Sequence, residues 1–225
     1  MQVLKQEIRG KILDTAKKMF LEKGFHRSSM KSIAEGVGIT APTIYCYFRN
    51  KDELFRELVK TVTTYFEDKK REVEDFDVSQ SGRNWGFETR RSQYTGHVNF
   101  ILEHREEFAL LFSSAGGSSL EHYFDSLVLE YENLMRSMIL DISKMLPGNL
   151  EISDFFIHNM AAFYVNSIRE AALHPVSREE LEKFATEWAV FRTGGWMSLT
   201  RGGNSEDLNR AEKGKEGSKN DVHKK

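Results

Sequence analysis

The side chains best suited to chemistry lie in one short run, residues 39–51, ITAPTIYCYFRNK. Its first helical positions carry Thr, Ala, Pro and Thr, which are short enough to let a helix approach the base edges of the DNA major groove. Tyr45 and Tyr47 have hydroxyls that can reach phosphate oxygens, although one face of the Tyr45 ring could pack instead. Lys51 stands at a helix start, where backbone N–H groups also favour a phosphate. With residues flanking the preceding helix, the candidate DNA contacts are Arg27, Ser28, Ser29, Lys31, Thr40, Ala41, Pro42, Thr43, Tyr45, Cys46, Tyr47 and Lys51.

The sequence offers little for other kinds of chemistry. His97 and His104 are spaced to share one helix face, but a metal site needs further ligands converging from other helices. Cys46 is the sole cysteine, which excludes a disulfide framework and leaves a redox switch without a resolving partner. No Gly-rich phosphate loop, nucleophile motif or metal-hydrolase motif is present. We therefore expect no enzyme, no metal and no cofactor.

Glycines and capping residues divide the N-terminal part of the chain into four predicted helices. Glycine is typical of helix ends, and Ser, Thr and Asn side chains cap helix starts. Helix two, the turn Gly38-Ile39 and helix three have the spacing of a helix-turn-helix, whose second helix enters the major groove. Ile33, Ile44 and Phe48 are predicted to be core. The residues that mark the ends are Gly24, Ser28 or Ser29, Gly38, Thr40 and Asn50, the last with Glu53 in a capping box.

Five further helices are predicted in the rest of the chain, so the fold class is all-α. Helical periodicity runs over about 88–103, 105–114, 118–146, 152–173 and 177–199. Capping boxes at Ser118–Glu121 and Ser177–Glu180 are expected to open the third and fifth of these helices. The polar composition of 201–225 predicts a disordered tail. The predicted domains are 1–50, a helix-turn-helix domain that binds DNA, 51–200, a helical domain for ligand binding and dimerisation, and 201–225, the tail.

The near-neutral charge of -2 is the sum of three unlike parts. Residues 1–60 carry a net charge of +5, residues 61–200 a net of -9, and residues 201–225 a net of +2. A basic head on an acidic body is consistent with a head that meets a polyanion and a body that does not. With no apolar stretch near the ~20 residues that span a bilayer, and no signal-peptide pattern at the start, we expect a soluble, cytoplasmic protein without a membrane partner.

The run from Gly24 to Phe55, GFHRSSMKSIAEGVGITAPTIYCYFRNKDELF, closely resembles the DNA-binding domain of the TetR family of transcriptional regulators. The resemblance covers about the first quarter of the chain, and the remainder is similar in length, helix count and helix order. Two positions depart from the family pattern. Gly36 replaces a small helix former, which weakens the second helix by about 1 kcal/mol relative to Ala. Cys46 replaces a longer polar residue, so base reading there is expected to be weak or apolar. The matching elements are Gly24-Phe25, Ile33-Ala34, Gly38-Ile39-Thr40, Thr43-Ile44-Tyr45, Tyr47-Phe48, Lys51 and Glu53-Leu54.

The resemblance implies an all-α homodimer with a division of labour along the chain. Three N-terminal helices would bind DNA, a fourth would connect them to a larger ligand-binding domain, and the last two long helices would form a four-helix dimer interface. The implied phosphate contacts are Ser29, Thr40, Tyr45, Tyr47 and Lys51. The implied base-facing positions are Ala41, Pro42, Thr43 and Cys46.

The body has many aromatic and flexible residues, most of which must be core. A helix that is apolar on more than one side, as over 152–173, is buried on more than one side. A ligand pocket would be apolar with a few polar anchors. The candidate ligand-binding residues are Tyr94, His97, Phe100, Phe112, Tyr123, Tyr131, Met135, Asn159 and Phe163. The candidate dimer residues are Phe156, Met160, Phe163, Ser167, Phe184, Trp188 and Phe191.

These patterns predict a sequence-specific DNA-binding regulator, in particular a repressor that a small, largely apolar molecule releases from its operator. The expected partners are double-stranded DNA with a near-palindromic operator, a second copy of the chain, and that effector. One alternative is a body that acts as an interaction module, with a constitutive or partner-controlled head and no small ligand. A small helical enzyme is the other alternative, and it lacks a catalytic constellation.

Overall fold

The computed structural model describes residues 2–74, 87–145 and 151–200, so the predicted tail lies outside the described residues. Within these ranges every regular element is a helix, which confirms the all-α prediction. None of the described helices combines the length and the apolar character that crossing a membrane requires. The helices are α1 (Gln2–Arg27), α2 (Met30–Val37), α3 (Ala41–Ile44), α4 (Lys51–Glu74), α5 (Phe87–Glu103), α6 (Arg105–Ser113), α7 (Tyr123–Met145), α8 (Asp154–Leu173) and α9 (Arg178–Thr200).

Several helix ends form as the capping residues predict. Of the two serines considered for α2, Ser29 is the cap: its hydroxyl accepts from the Ser32 N–H at 3.1 Å. Gly38 ends α2 in the left-handed region, with a φ of 81° that favours glycine. The Asn50 side chain caps α4 by accepting from the Glu53 N–H at 2.7 Å. The reciprocal Ser177–Glu180 capping box is also present before α9.

One predicted helix start and one predicted side-chain cap are wrong. The helix expected from 118 begins at Tyr123, because Ser118 and Glu121 bond to loop N–H groups instead of capping each other. The Ser118 hydroxyl accepts from Leu120 N–H, and the Glu121 carboxylate accepts from Gly117 N–H. Thr40 precedes α3 but makes no side-chain cap, since its hydroxyl is hydrogen-bonded to the hydroxyl of Thr43 at 2.7 Å.

The core of the N-terminal head, residues 1–60, is closed by the first turns of α4. The rings of Phe20, Phe25 and Phe55 lie 5.3–5.7 Å apart, with Phe55 edge-on to both others. Leu54 and Phe55 have no exposed surface. The predicted domain boundary at residue 50 therefore coincides with the start of α4, while the packing of the head continues into that helix.

The remaining helices form the body, residues 61–200, around α8. Helix α5 packs against α9, α7 packs against α8, and α6 lies against α4, α1 and α8. A single apolar cluster runs from Ile12 in α1 to Ala172 in α8. A smaller cluster, which includes Tyr94 and Trp188, joins α5 to α9. The head therefore packs against the body through α4 and α6.

Candidate nucleic-acid interface

The turn between α2 and α3 is fixed by backbone hydrogen bonds and by two buried side chains. Gly38 N–H donates to the Glu35 carbonyl at 3.1 Å, and Ile39 N–H donates to the Ala34 carbonyl at 3.0 Å. Helix α3 is only one turn long, and further turn bonds extend it to Phe48. Ile44 and Phe48 are buried in the head core, so the opposite side of α3 is held outward.

Most of the predicted DNA contacts lie on this outward surface. Tyr45 is 53% exposed. The structure is therefore consistent with a Tyr45 hydroxyl that is free to reach a phosphate. Tyr47 is half-buried and packs against the head core. The lone thiol, Cys46, is exposed on the same surface. The exposed members of the predicted set are Arg27, Ser29, Lys31, Thr40, Pro42, Tyr45 and Cys46, while Ala41, Thr43, Tyr47 and Lys51 are half-buried.

Ser28 is a correction to the predicted set. Its side chain is 3% exposed, and its hydroxyl donates to the Gly24 carbonyl at 2.9 Å. Gly24 has a φ of 76° inside α1, so the helix bends there and leaves a carbonyl for Ser28 to satisfy. The Ser28 hydroxyl therefore stabilises the corner between α1 and α2 and is not presented to DNA.

Lys51 also has a role that differs from the predicted phosphate contact. Its ammonium donates to the carbonyls of Phe25 and Ser28 at 2.7 and 2.8 Å. It lies 4.0 Å from the centroid of the Phe25 ring, within the range of a cation–π contact. Partial burial lowers the pKa of Lys51 from its usual value. Lys51, the first residue of α4, therefore acts as a clamp that holds the corner between α1 and α2.

Gly36 has a packing reason that the sequence did not reveal. A Cβ atom added at Gly36 would lie 2.9 Å from Thr15 Cγ2 of α1, closer than real Cβ contacts come. Glycine at this position therefore lets α1 and α2 approach each other. Gly36 is unfavourable for the stability of α2 alone, but it is favourable for the packing of α2 against α1.

Contacts between the head and the segment 105–120 were missed by sequence reasoning. The Asp52 carboxylate accepts from the Ser119 N–H at 2.7 Å and from the Ser119 hydroxyl at 2.8 Å. Burial works to raise the pKa of Asp52, but the hydrogen bonds from Ser119 and Arg56 lower it. Lys17 of α1 pairs with Glu106 and Glu107 of α6 at 3.1 and 2.8 Å. No local pattern signals these pairs, because the partners are 67 to 90 residues apart.

Comparisons with known proteins agree with this geometry. Residues 12–58 match the family described as bacterial regulatory proteins, tetR family. Over this segment the head is similar to the DNA-binding part of the TetR family. A curated relative, the HTH-type transcriptional regulator UidR of Escherichia coli (strain K12), is 37% identical over 59 residues, which are 26% of this chain and 30% of UidR. The chain thus spans about 30% of the length of the curated relatives it matches.

Solved structures with the same fold align with the body as well as with the head. NalD, the secondary repressor of the MexAB-OprM multidrug efflux pump in Pseudomonas aeruginosa, aligns with a TM-score of 0.54 at 17% identity, covering 84% of this chain and 97% of NalD. AibR, solved in complex with isovaleryl coenzyme A and operator DNA, aligns with a TM-score of 0.53 at 15% identity, covering 80% and 96%. At such identities the likeness shows the fold alone.

The structure brings several predicted ligand-binding residues together at the centre of the body. His97 of α5 lies between the hydroxyls of Tyr65 and Tyr164, bonded to the first through Nδ1 and to the second through Nε2 at 2.8 Å. Tyr94 accepts a hydrogen bond from Arg192 at 2.7 Å. The predicted set omitted Tyr65, Tyr164 and Arg192, because helical spacing does not show which polar side chains meet inside a core. The other predicted members that pack in this core are Phe100, Phe112, Tyr123, Tyr131 and Met135.

Two predicted ligand-binding residues lie elsewhere. Asn159 is exposed, and its amide donates to the Phe155 carbonyl at 2.7 Å. Phe163 is 47% exposed and covers Trp188 from outside, with ring centroids 4.5 Å apart. Both are on the outer side of α8, so they are corrected to surface positions. An open groove of about 560 Å³ along the start of α4 contains none of the predicted ligand-binding residues.

The predicted dimer residues form an outer apolar face on α8 and α9, with one correction. Trp188 is 6% exposed, because Phe163 and Phe191 stack over it and Tyr94 lies at its inner edge. Met160 and Ser167 are half-buried, and the Ser167 hydroxyl donates to the Tyr164 carbonyl. The large exposed apolar residues of this face are Phe155, Phe156 and Phe163 on α8 and Phe184 and Phe191 on α9, while Val190 and Met197 are exposed on another side of α9.

Proposed function

We propose that this protein is a homodimeric transcriptional repressor of the TetR family that binds a near-palindromic operator and is released by a small, largely apolar ligand. The observation that carries the proposal is the outward face of α3, where short side chains stand on a turn fixed by Gly38 and by the buried Ile44 and Phe48. A short, rigid helix with small residues can enter the major groove without losing side-chain entropy. The acidic body would be repelled by DNA, which leaves the basic head as the docking face.

The exposed residues divide into two roles in this proposal. Ser29, Thr40, Tyr45 and Tyr47 would contact phosphates, which position the protein but do not read sequence. Ala41, Pro42, Thr43 and Cys46 would face bases, with apolar contacts such as a thymine methyl at Cys46. Arg27 and Lys31, both exposed at the corner before and within α2, would add phosphate contacts.

The outer face of α8 and α9 supports the homodimer. Phe155 is 78% exposed and Phe191 is 66% exposed, so most of each aromatic side chain is open to solvent in the single chain. Exposed apolar side chains of this kind mark an interaction surface, and a two-fold dimer buries the same surface on both copies. Two heads joined in this way would reach successive major grooves about 34–36 Å apart.

The ligand part of the proposal is supported by the polar network inside the body and by the family setting. AibR has a TM-score above 0.5 to this chain and was solved with both a small molecule and operator DNA. A ligand can release DNA only if it prefers the conformation with the wrong head spacing. We propose that the protein acts in the cytoplasm, where the DNA that it regulates is found.

Fluorescence anisotropy with duplexes that tile the DNA flanking the gene tests the proposal. We expect one duplex to bind at least a hundredfold more tightly than a scrambled duplex of the same composition, with two chains per duplex. Absence of any sequence-selective binding, at low salt and over the whole tiled region, would refute it. Sedimentation of the free protein checks the dimer: Phe191→Glu, on the apolar face, should give a monomer, and Lys183→Glu, exposed on the same helix, should not.

A further inference from the structure

A network of polar side chains from five helices meets in the middle of the body, and DNA binding does not explain it. Its members come from α4, α5, α7, α8 and α9, and each faces the others across an otherwise apolar core. Polar groups are rarely brought together inside a helical core unless they satisfy each other or hold something. The central network consists of Tyr65, Tyr94, His97, Tyr131, Tyr164 and Arg192.

Within this network His97 is fully satisfied. Its two ring nitrogens meet the hydroxyls of Tyr65 and Tyr164. Burial, assisted by the charges of Lys69 and Arg192, lowers the pKa of His97 to about 4. A neutral imidazole has one donor and one acceptor, so the two tyrosines use up its hydrogen-bonding capacity.

Arg192 is different, because no carboxylate among the described residues balances its charge. The guanidinium donates to the Tyr94 hydroxyl at 2.7 Å and lies 5.8 Å from the centroid of the Tyr164 ring. Among the residues that the structure describes, no carboxylate is paired with it, whereas Arg136 is paired with Glu132 and Asp154. A guanidinium has five N–H donors in a planar fork, so Arg192 keeps donors for an anion.

Aromatic rings continue from this guanidinium towards α4. Tyr164 contacts Tyr131 at a centroid distance of 4.7 Å, and Phe100 stacks on Tyr65, the other partner of His97, at 3.8 Å. These four residues are half-buried between the body helices. Aromatic walls with one cationic fork suit a molecule that is apolar apart from a single planar anionic group.

We propose that Arg192 anchors the carboxylate of an apolar monocarboxylate, with the hydroxyls of Tyr94 and Tyr164 beside it and the Tyr65–Phe100 stack as an apolar wall. The proposal names the effector class for the regulator proposed above and so rests on that function. A bound carboxylate competes for the Arg192–Tyr94 hydrogen bond. Through Tyr164 and His97 it then acts on Tyr65 of α4, the helix whose first residue clamps the head.

Matched pairs of acids and amides test the charge requirement. The probes are the straight-chain carboxylates from butanoate to octanoate and phenylacetate, each compared with its primary amide by calorimetry and thermal shift on the full-length protein. We expect at least one acid to bind at least tenfold more tightly than its amide and to raise the Tm. Arg192→Gln should abolish that preference, Arg192→Lys should keep part of it, and Lys183→Gln, exposed on the same helix, should leave it unchanged.

Two results overturn this inference. The first is a series in which no acid binds more tightly than its amide. The second is a preference for the acid that survives in Arg192→Gln. If Arg192→Gln does not fold, a preference that keeps its full strength in Arg192→Lys takes its place. Operator binding by the ligand-free protein is measured in the same series. Its absence overturns the proposed function, whereas a preference for acids that depends on Arg192 stands without it.

Discussion

The head and the body of this protein are built from similar aromatic residues but pack them in different ways. In the head, Phe20 and Phe55 have no exposed surface, and Phe25 and Phe48 keep at most 5%. In the middle of the body, Phe100, Tyr131 and Tyr164 are half-buried, and Tyr164 is hydrogen-bonded to His97 and lies beside the cation of Arg192; only nearer the head, at Phe66 and Phe108, are the body rings as buried as those of the head. A close-packed core transmits strain and holds one geometry. A looser core with polar groups can change its arrangement, as an effector site requires.

Truncation of matched phenylalanines should show the largest difference. Phe55→Ala removes a ring that contacts two others in a sealed core, so we expect a loss of about 3–5 kcal/mol in the free energy of unfolding. Phe100→Ala removes a ring that is already partly accessible, and the loss should be less than half as large. Urea unfolding monitored by circular dichroism measures both. Equal losses would contradict the contrast between the two cores.

Stability of the body should depend on pH through His97. The pKa of His97 is lowered to about 4 in the folded chain, while the unfolded chain takes up the proton near 6.5. As the pH falls from 6.5 towards 4, the unfolded state therefore gains protons that the folded state lacks, and stability falls by about 1.4 kcal/mol per pH unit from this group. Above pH 6.5 this contribution should vanish.

The variant His97→Gln isolates that dependence, since its amide also offers one donor and one acceptor. We expect it to be less stable than the wild type at pH 7.5 and to have a flatter profile between pH 6.5 and 4.5. His122→Gln, at an exposed histidine, is the control and should keep the wild-type profile. A wild-type slope in His97→Gln would show that the buried imidazole is not the titrating group.

Lys51 and Lys31 separate structural from phosphate-contacting cations in the head. Lys51→Met loses two hydrogen bonds to carbonyls, so we expect about 1–3 kcal/mol lower stability and weaker DNA binding, with an unchanged salt slope. Lys31→Met should leave stability unchanged and reduce the slope of log affinity against log salt by about one. Affinity measured from 50 to 200 mM salt distinguishes them, and a reduced slope in Lys51→Met would restore its phosphate role.

Glycine replacements test the close packing of α1 on α2, with the smallest expected effect. Gly10→Ala, where an added Cβ meets nothing within 4 Å, should stabilise the protein by up to about 1 kcal/mol. Gly36→Ala should give no gain or a loss, because its Cβ would meet Thr15 Cγ2 at 2.9 Å. The double variant Thr15→Ser, Gly36→Ala removes that methyl and should recover the gain. A gain in Gly36→Ala alone would mean that the helix pair has room.

Local signals explain which parts were predictable from the sequence. The helix order and the helix-turn-helix depend on periodicity, capping and turn glycines, which act within a few residues, so Ser29, Gly38 and Asn50 could be interpreted correctly. The same local logic failed at Ser118–Glu121, where both side chains bond to loop N–H groups. Helical spacing could not separate an outward face from an inward one in the body, so Asn159 and Phe163 were misplaced.

The sequence by itself determined the fold class, the position of the head and most of the residues on its outward face, because a sequence motif and local propensity specify them. Only the tertiary structure decided that Lys51 and Ser28 bond to backbone carbonyls, that Asp52 meets Ser119, and that Arg192 meets a tyrosine and no carboxylate among the described residues. These contacts join residues from different helices. Their partners are chosen by helix packing and burial, and no spacing along the chain encodes them.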